Sequence, residues 1–194
     1  DDGKMPGGAT GNVLDPFPVL SFFAAHTKRI RIGTGVMILP QRNPVYAAKE
    51  IATLDVLSAG RLDVGIGVGW LAEEMRALAT PWERRGARAR SYIAVMKALW
   101  CDDLSAYEDE FYTLPPCRFG PKPVQRPHPP LVFGGESRPA LRRVAELGHG
   151  WNAAMKTPQQ IATLLEELDG LLAEYGRSRE EIEVTVMPGE ELRA

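Results

Sequence analysis

The feature that most constrains this chain is an alternation. Short apolar runs ending in glycine or proline are followed repeatedly by stretches whose apolar residues recur at helical spacing. Ile30–Leu39 reads as a strand, and Asn43-Pro44 then caps a helix carrying Ala47, Ala48, Ile51, Leu54 and Leu57, closed by Ser58-Ala59-Gly60. Leu62–Val68 reads as a second strand, and Leu71–Trp100 as mainly helical with a break near Thr80-Pro81. Leu131–Phe133 runs into Gly134-Gly135, after which Ser137 is placed to cap a helix through Leu141, Val144, Ala145 and Leu147, stopped by Gly148. Trp151–Met155 is a weaker strand, Thr157-Pro158 with Gln160 a capping box opening a helix that Gly176 ends, and Ile182–Met187 a last strand. Such order calls for a parallel sheet flanked by helices, either doubly wound or closed into an eightfold barrel. A complete barrel takes about 250 residues, and the pattern yields only about five strands, so the expectation is an incomplete barrel.

Composition narrows the function classes. A formal charge of -2 over 194 residues gives no electrostatic reason to expect nucleic acid or an anionic membrane as partner. No run approaches the ~18 apolar residues of a membrane span, and the glycine-rich start is unlike a secretory signal, so a cytoplasmic location is the default expectation. Cys101 and Cys117 lack C-x-x-C spacing and a neighbouring histidine, which predicts two reduced structural cysteines and no metal site. The proline-rich, aromatic segment 101–130 is too long for an ordinary connection and is expected to form a lid or pocket wall.

Two motifs point to a ligand. In Arg61–Trp70, RLDVGIGVGW, glycines at alternate positions leave one face of a strand tip without side chains, so that a flat or phosphorylated ligand could lie against the backbone. Gly67, Gly69 and Ala72 fit a relaxed dinucleotide fingerprint, but a Rossmann unit needs an acidic strand end roughly 20 residues on. The chain is instead helical around Tyr92, Val95, Met96 and Leu99. In the second motif, Gly134, Gly135, Glu136, Ser137 and Arg138 form a turn into a helix, where glycines permit close approach and amides, a hydroxyl and a guanidinium attract an anion. Glu136 would oppose a phosphate if its carboxylate faced it, so it is expected to act through its backbone N–H. His26, His128 and His149 have no sequence-visible catalytic partner and read as structural, and Arg84, Arg85, Arg88 and Arg90 read as a solvated helix face.

The blocks IRIGTGVMILPQRNPVYAAKEIATLDVLSAGRLDVGIGVGW and PKPVQRPHPPLVFGGESRPALRRVAELGHGW resemble the luciferase-like monooxygenase superfamily, especially its deazaflavin-dependent oxidoreductases. The resemblance implies one (β/α)8 TIM-barrel domain over residues 1–194, of which this chain supplies about the third to seventh strands. It also implies a coenzyme at the strands' C-terminal ends: deazaflavin coenzyme F-420, or alternatively flavin mononucleotide (FMN). By the same resemblance Gly35 and Val36 match a bulge with a non-prolyl cis peptide beneath the coenzyme ring, and Gly67, Val68 and Gly69 match the strand tip beside it. Gly134–Arg138 match the phosphate-binding turn. Many FMN users carry an arginine near the position of Val68, and its absence favours the deazaflavin. A sugar-phosphate branch carries a glutamate where Trp70 stands, which argues against that chemistry here.

The implied activity is hydride transfer between a deazaflavin and a small organic substrate. Its rivals are an FMN-dependent monooxygenase and a non-catalytic, small-molecule-binding barrel remnant. In the family, polar catalytic groups often come from the first two strands, so no catalytic residue is assigned. Members are often dimers, which leaves a homodimer open.

Overall fold

A computed structural model describes residues 13–187. In chain order the elements are α1 (Pro16–His26), β1 (Ile32–Gly33), β2 (Met37–Ile38), α2 (Pro44–Leu57), β3 (Leu62–Gly67), α3 (Ala72–Ala77), α4 (Arg85–Cys101), β4 (Ser105–Glu108), β5 (Thr113–Cys117), β6 (Leu131–Gly134), α5 (Arg138–Leu147), β7 (Gly150–Ala154), α6 (Pro158–Glu174) and β8 (Glu183–Met187). The predicted starts and stops hold. Asn43 Oδ1 accepts from the N–H groups of Val45 and Tyr46 at 2.9 and 3.3 Å, and Thr157 and Gln160 form the capping box of α6. Gly60 and Gly176, at φ 77° and 66°, turn the chain after α2 and α6 in the left-handed region that favours glycine.

Two expectations are corrected. The strand over Ile30–Leu39 is two short pieces, β1 and β2, broken at a non-prolyl cis bond between Gly35 and Val36. Ser137 occupies the N-cap of α5, but its hydroxyl makes no capping bond. The 101–130 segment contains an antiparallel hairpin, β4 with β5, despite Pro115 and Pro116. A two-stranded ribbon tolerates those prolines because each strand has one side with no ladder to break.

The chain divides into two compact units. The first takes the described residues up to Ile32, then Ile38–Arg61 and Val68–His128; the second takes Gly33–Met37, Leu62–Gly67 and the described residues from Pro129. In the first unit α2 packs against α1 and α4, with Ile51, Leu54, Met96, Leu99 and Trp100 almost wholly buried. Each such side chain contributes ~1.5–3 kcal/mol by leaving water. The Trp100 indole donates to the Ala48 carbonyl at 3.0 Å, so the largest apolar group at this contact has its polar atom satisfied. Arg61 fans its guanidinium over the carbonyls of Ala24, Thr27, Ile30 and Ser58, closing the C-terminal end of α1.

The hairpin turn is held by Asp109, whose carboxylate accepts from the N–H groups of Phe111 and Tyr112 and the hydroxyls of Ser91 and Tyr107 at 2.8 to 3.0 Å. Desolvation pushes this carboxyl up, but those hydrogen bonds together outweigh it and hold it below its usual value. A carboxyl depressed by folding stabilises the hairpin above its unfolded value, about 3.9, and that contribution is lost as pH falls through the lower folded value. The Phe111 and Tyr112 amides are therefore expected to lose protection on acidification below about pH 4, exchanging fast relative to their intrinsic rate at that pH. Asp109→Ala should show the fast exchange already at neutral pH; unchanged protection in that variant would refute the role.

The second unit holds the parallel strands β3, β6, β7 and β8, in a sheet of order β1-β3-β6-β7-β8 with β2 also paired to β3. Register places Gly65, Val132, Gly150 and Glu183 in one row and Ile66, Phe133, Trp151 and Val184 in the next, on the opposite face. The Phe133–Trp151 row is buried; α5 packs on β6 and on α6, burying Leu141, Val144, Leu168 and Leu171. The other face, with Val132, Asn152, Glu183 and Thr185, stays partly or fully exposed. This is a run of the β/α units of a (β/α)8 barrel, a partial TIM barrel.

Candidate functional site

In the second unit the best-formed site is the turn from β6 into α5. Gly134 ends β6 directly against Val36: a Cβ there would meet the Val36 methyls at 3.1 and 3.3 Å. Gly135 follows at φ 104°, open only to glycine without strain. Its carbonyl accepts from the buried Trp151 indole at 3.0 Å, and the Glu136 carboxylate accepts from the Ala154 N–H at 3.0 Å. Both residues that could have spoiled an anion site are thereby turned aside, since the carbonyl and the carboxylate each face β7. Among the described residues the N–H groups of Glu136 and Ser137 make no hydrogen bond, and the Ser137 hydroxyl does no capping. Free donors at the positive end of a ten-residue helix are what a phosphate requires. Arg138 instead pairs with Glu167 at 3.1 Å, so its charge is drawn onto α6.

Beside the turn, the partly exposed sheet face carries a cavity of about 290 Å³ lined by Thr34, Gly35, Asp63, Asn152, Glu183 and Thr185 among others. Asp63 and Glu183 make this floor unfavourable to an anion, whereas at the β6–α5 turn the one carboxylate, Glu136, is engaged with the Ala154 N–H. Gly35 is exposed, and the Asn152 side-chain nitrogen lies 3.3 Å from where a Cβ on Gly35 would stand. The second unit thus holds Gly35, Val36, Gly67 and Gly134–Arg138 of the predicted residues. Gly67 is buried at the end of β3.

Val68 and Gly69 belong to the first unit. Gly69, at φ 85°, is a turn glycine: a Cβ would meet Met75 Cε at 2.6 Å and Ile38 Cγ2 at 3.1 Å, and its carbonyl accepts from Arg85 Nε at 3.1 Å. Arg85 stacks on Trp82 at 3.6 Å, Arg84 pairs with Glu110, and Arg88 donates to the Pro81 carbonyl, so three members of the basic cluster have protein partners. The histidines are likewise engaged: His26 bonds the Phe22 carbonyl, His128 lies against Trp100, and His149 Nδ1 accepts from the Leu131 N–H. Cys101 is a free thiol pushed up by burial and by Asp102, hence neutral near pH 7. Among the described residues no cluster of three or more His, Cys, Asp or Glu could hold a metal, and no helix is long and apolar enough to cross a membrane. The Trp151 bond to this turn carries no signal in the sequence, where an apolar strand position reads as core.

The family model described as luciferase-like monooxygenase matches residues 2–189. An uncharacterized protein of Mycobacterium tuberculosis is 36% identical over 161 residues, covering 82% of this chain and 56% of that protein. An FMNH2-dependent dimethylsulfone monooxygenase of Pseudomonas putida is 34% identical over 130 residues, 66% of this chain and 35% of its own length. The chain therefore spans about half or less of these curated relatives. Among solved structures, the coenzyme F420 dependent tetrahydromethanopterin reductase from Methanopyrus kandleri superposes with a TM-score of 0.80 at 22% identity, over 89% of this chain and 54% of that one, a likeness of fold.

Proposed function

The chain belongs to the luciferase-like monooxygenase family, and from that membership we propose that it carries the coenzyme-phosphate site of an oxidoreductase that oxygenates a small organic substrate with reduced FMN. The observation that carries this reading is the β6–α5 turn, with Gly135 at φ 104°, free N–H groups on Glu136 and Ser137, and the Glu136 carboxylate held away from them. The likeness to an FMNH2-dependent monooxygenase supports FMN as the nucleotide.

When bound, reduced FMN supplies the electrons for oxygen activation; the chain binds and orients it. The Glu136 and Ser137 N–H groups and the Ser137 hydroxyl hold the phosphate, and Gly134 and Gly135 let it approach. Gly35 and Val36 support the ring, with Gly67 at the neighbouring strand end. Arg138 adds charge by leaving Glu167, an exposed pairing that costs little to break. Hydride transfer with deazaflavin coenzyme F-420 is the second reading, favoured by Val68, which offers no charge.

Fluorescence titration of the chain with FMN, riboflavin and coenzyme F-420 tests this. The expected result is saturable FMN binding about tenfold or more tighter than riboflavin, the value of one or two charge-assisted hydrogen bonds. Preference for F-420 would establish the second reading, and binding of none would overturn both.

A further inference from the structure

We propose that Trp151 and the Glu136 side chain are positioning residues, which hold the β6–α5 turn in its anion-accepting conformation without touching the ligand. The inference rests on the phosphate site proposed above. Trp151 is wholly buried in the row shared with Phe133 and Val184, so its indole is fixed when it donates to the Gly135 carbonyl at 3.0 Å. In a trans peptide the carbonyl and the following N–H point in opposite directions. The Gly135–Glu136 bond is trans, so anchoring the Gly135 carbonyl on Trp151 aims the Glu136 N–H the other way, free of protein acceptors.

Glu136 completes the arrangement. Its carboxylate lies next in the chain to two unpaired donors and would compete with a phosphate for them. Instead it accepts from Ala154 N–H at 3.0 Å, at the end of β7. Two side-chain bonds to one strand thus tether the turn: the Trp151 bond sets the peptide plane, and the Glu136 bond fastens the turn to the end of β7 while keeping the carboxylate off the two donors.

The test compares wild type, Trp151→Phe, Glu136→Ala and Glu136→Gln in titrations with FMN and with riboflavin, which lacks the phosphate; thermal melting checks the fold. Trp151→Phe is expected to weaken FMN binding about fivefold to tenfold, the value of one hydrogen bond, while riboflavin binding changes less than about twofold. Glu136→Ala should lose the FMN preference in the same way. Glu136→Gln, which keeps an acceptor for Ala154 and drops the charge, should retain or raise it. Wild-type preference for FMN in both Trp151→Phe and Glu136→Ala would overturn the positioning role and leave the phosphate site standing. If Trp151→Phe does not fold, the two Glu136 variants decide. Equal affinity of the wild type for FMN and riboflavin would overturn the phosphate site itself.

Discussion

Gly65→Ala is expected to be the most damaging single methyl that can be added to the sheet. A Cβ at Gly65 would lie 1.7 Å from the Thr34 carbonyl oxygen and 2.7 Å from its carbon, and both are backbone atoms that no rotamer change can move. The same two residues are joined by the Thr34 hydroxyl, which donates to the Gly65 carbonyl at 2.7 Å. Relief therefore requires the chain between β1 and β2 to lift away, taking Gly35 and Val36 with it. The cost should exceed the ~1–3 kcal/mol of ordinary overpacking, a large share of the ~5–15 kcal/mol that stabilises a typical domain. Urea denaturation would show a collapsed midpoint. Gly170→Ala is the matched control: it sits in α6 with nothing within 4 Å of its Cβ, and it should stabilise by ~0.5–1 kcal/mol. A Gly65→Ala variant with the wild-type midpoint would mean that Thr34 does not cross Gly65 as described.

Asp55→Ala should be nearly as severe, by loss rather than by crowding. Asp55 has 0% exposure on α2, and its carboxylate accepts from the N–H groups of Val124 and Gln125 at 2.7 and 3.0 Å and from the Gln125 side chain at 2.7 Å. Truncation leaves two backbone donors without their acceptor. The expected loss is about 3 kcal/mol or more, since hydrogen bonds to a charged group are worth ~1.5–3 kcal/mol each. Asp55→Asn, which keeps one acceptor oxygen, should recover part of it. Equal stability of Asp55→Ala and wild type would refute the pinning role.

How much of this was legible in the sequence depended on which interactions are local. Helix ends were readable because caps act within three or four residues: Asn43, Thr157 with Gln160, and Gly176 all do what their neighbours suggest. The glycines of RLDVGIGVGW were legible as positions without side chains, but what lies against them was not. Gly65 makes room for Thr34 and Gly69 makes a turn over Met75, so two of those bare positions are covered by protein. Such contacts lie far away in sequence or depend on side-chain shape, and periodicity carries neither. The β6–α5 turn was legible in composition, whereas what holds it was not. An indole and a carboxylate reaching across to or from a neighbouring strand are tertiary facts. Likewise Ser137 has the right type and place for a cap, yet its hydroxyl is left uncommitted.

The way the chain threads its two units has a consequence for anyone who wishes to dissect the protein. It passes from one unit to the other at 32/33, 37/38, 61/62, 67/68 and 128/129. No single cut therefore separates them, and neither unit is a contiguous stretch of gene. A product ending at His128 would carry β3 without the β6 it pairs with, and one beginning at Pro129 would expose the β6 edge that β3 covers. Deletion mapping would consequently report lost architecture as lost binding, and point substitutions in the whole chain are the appropriate instrument.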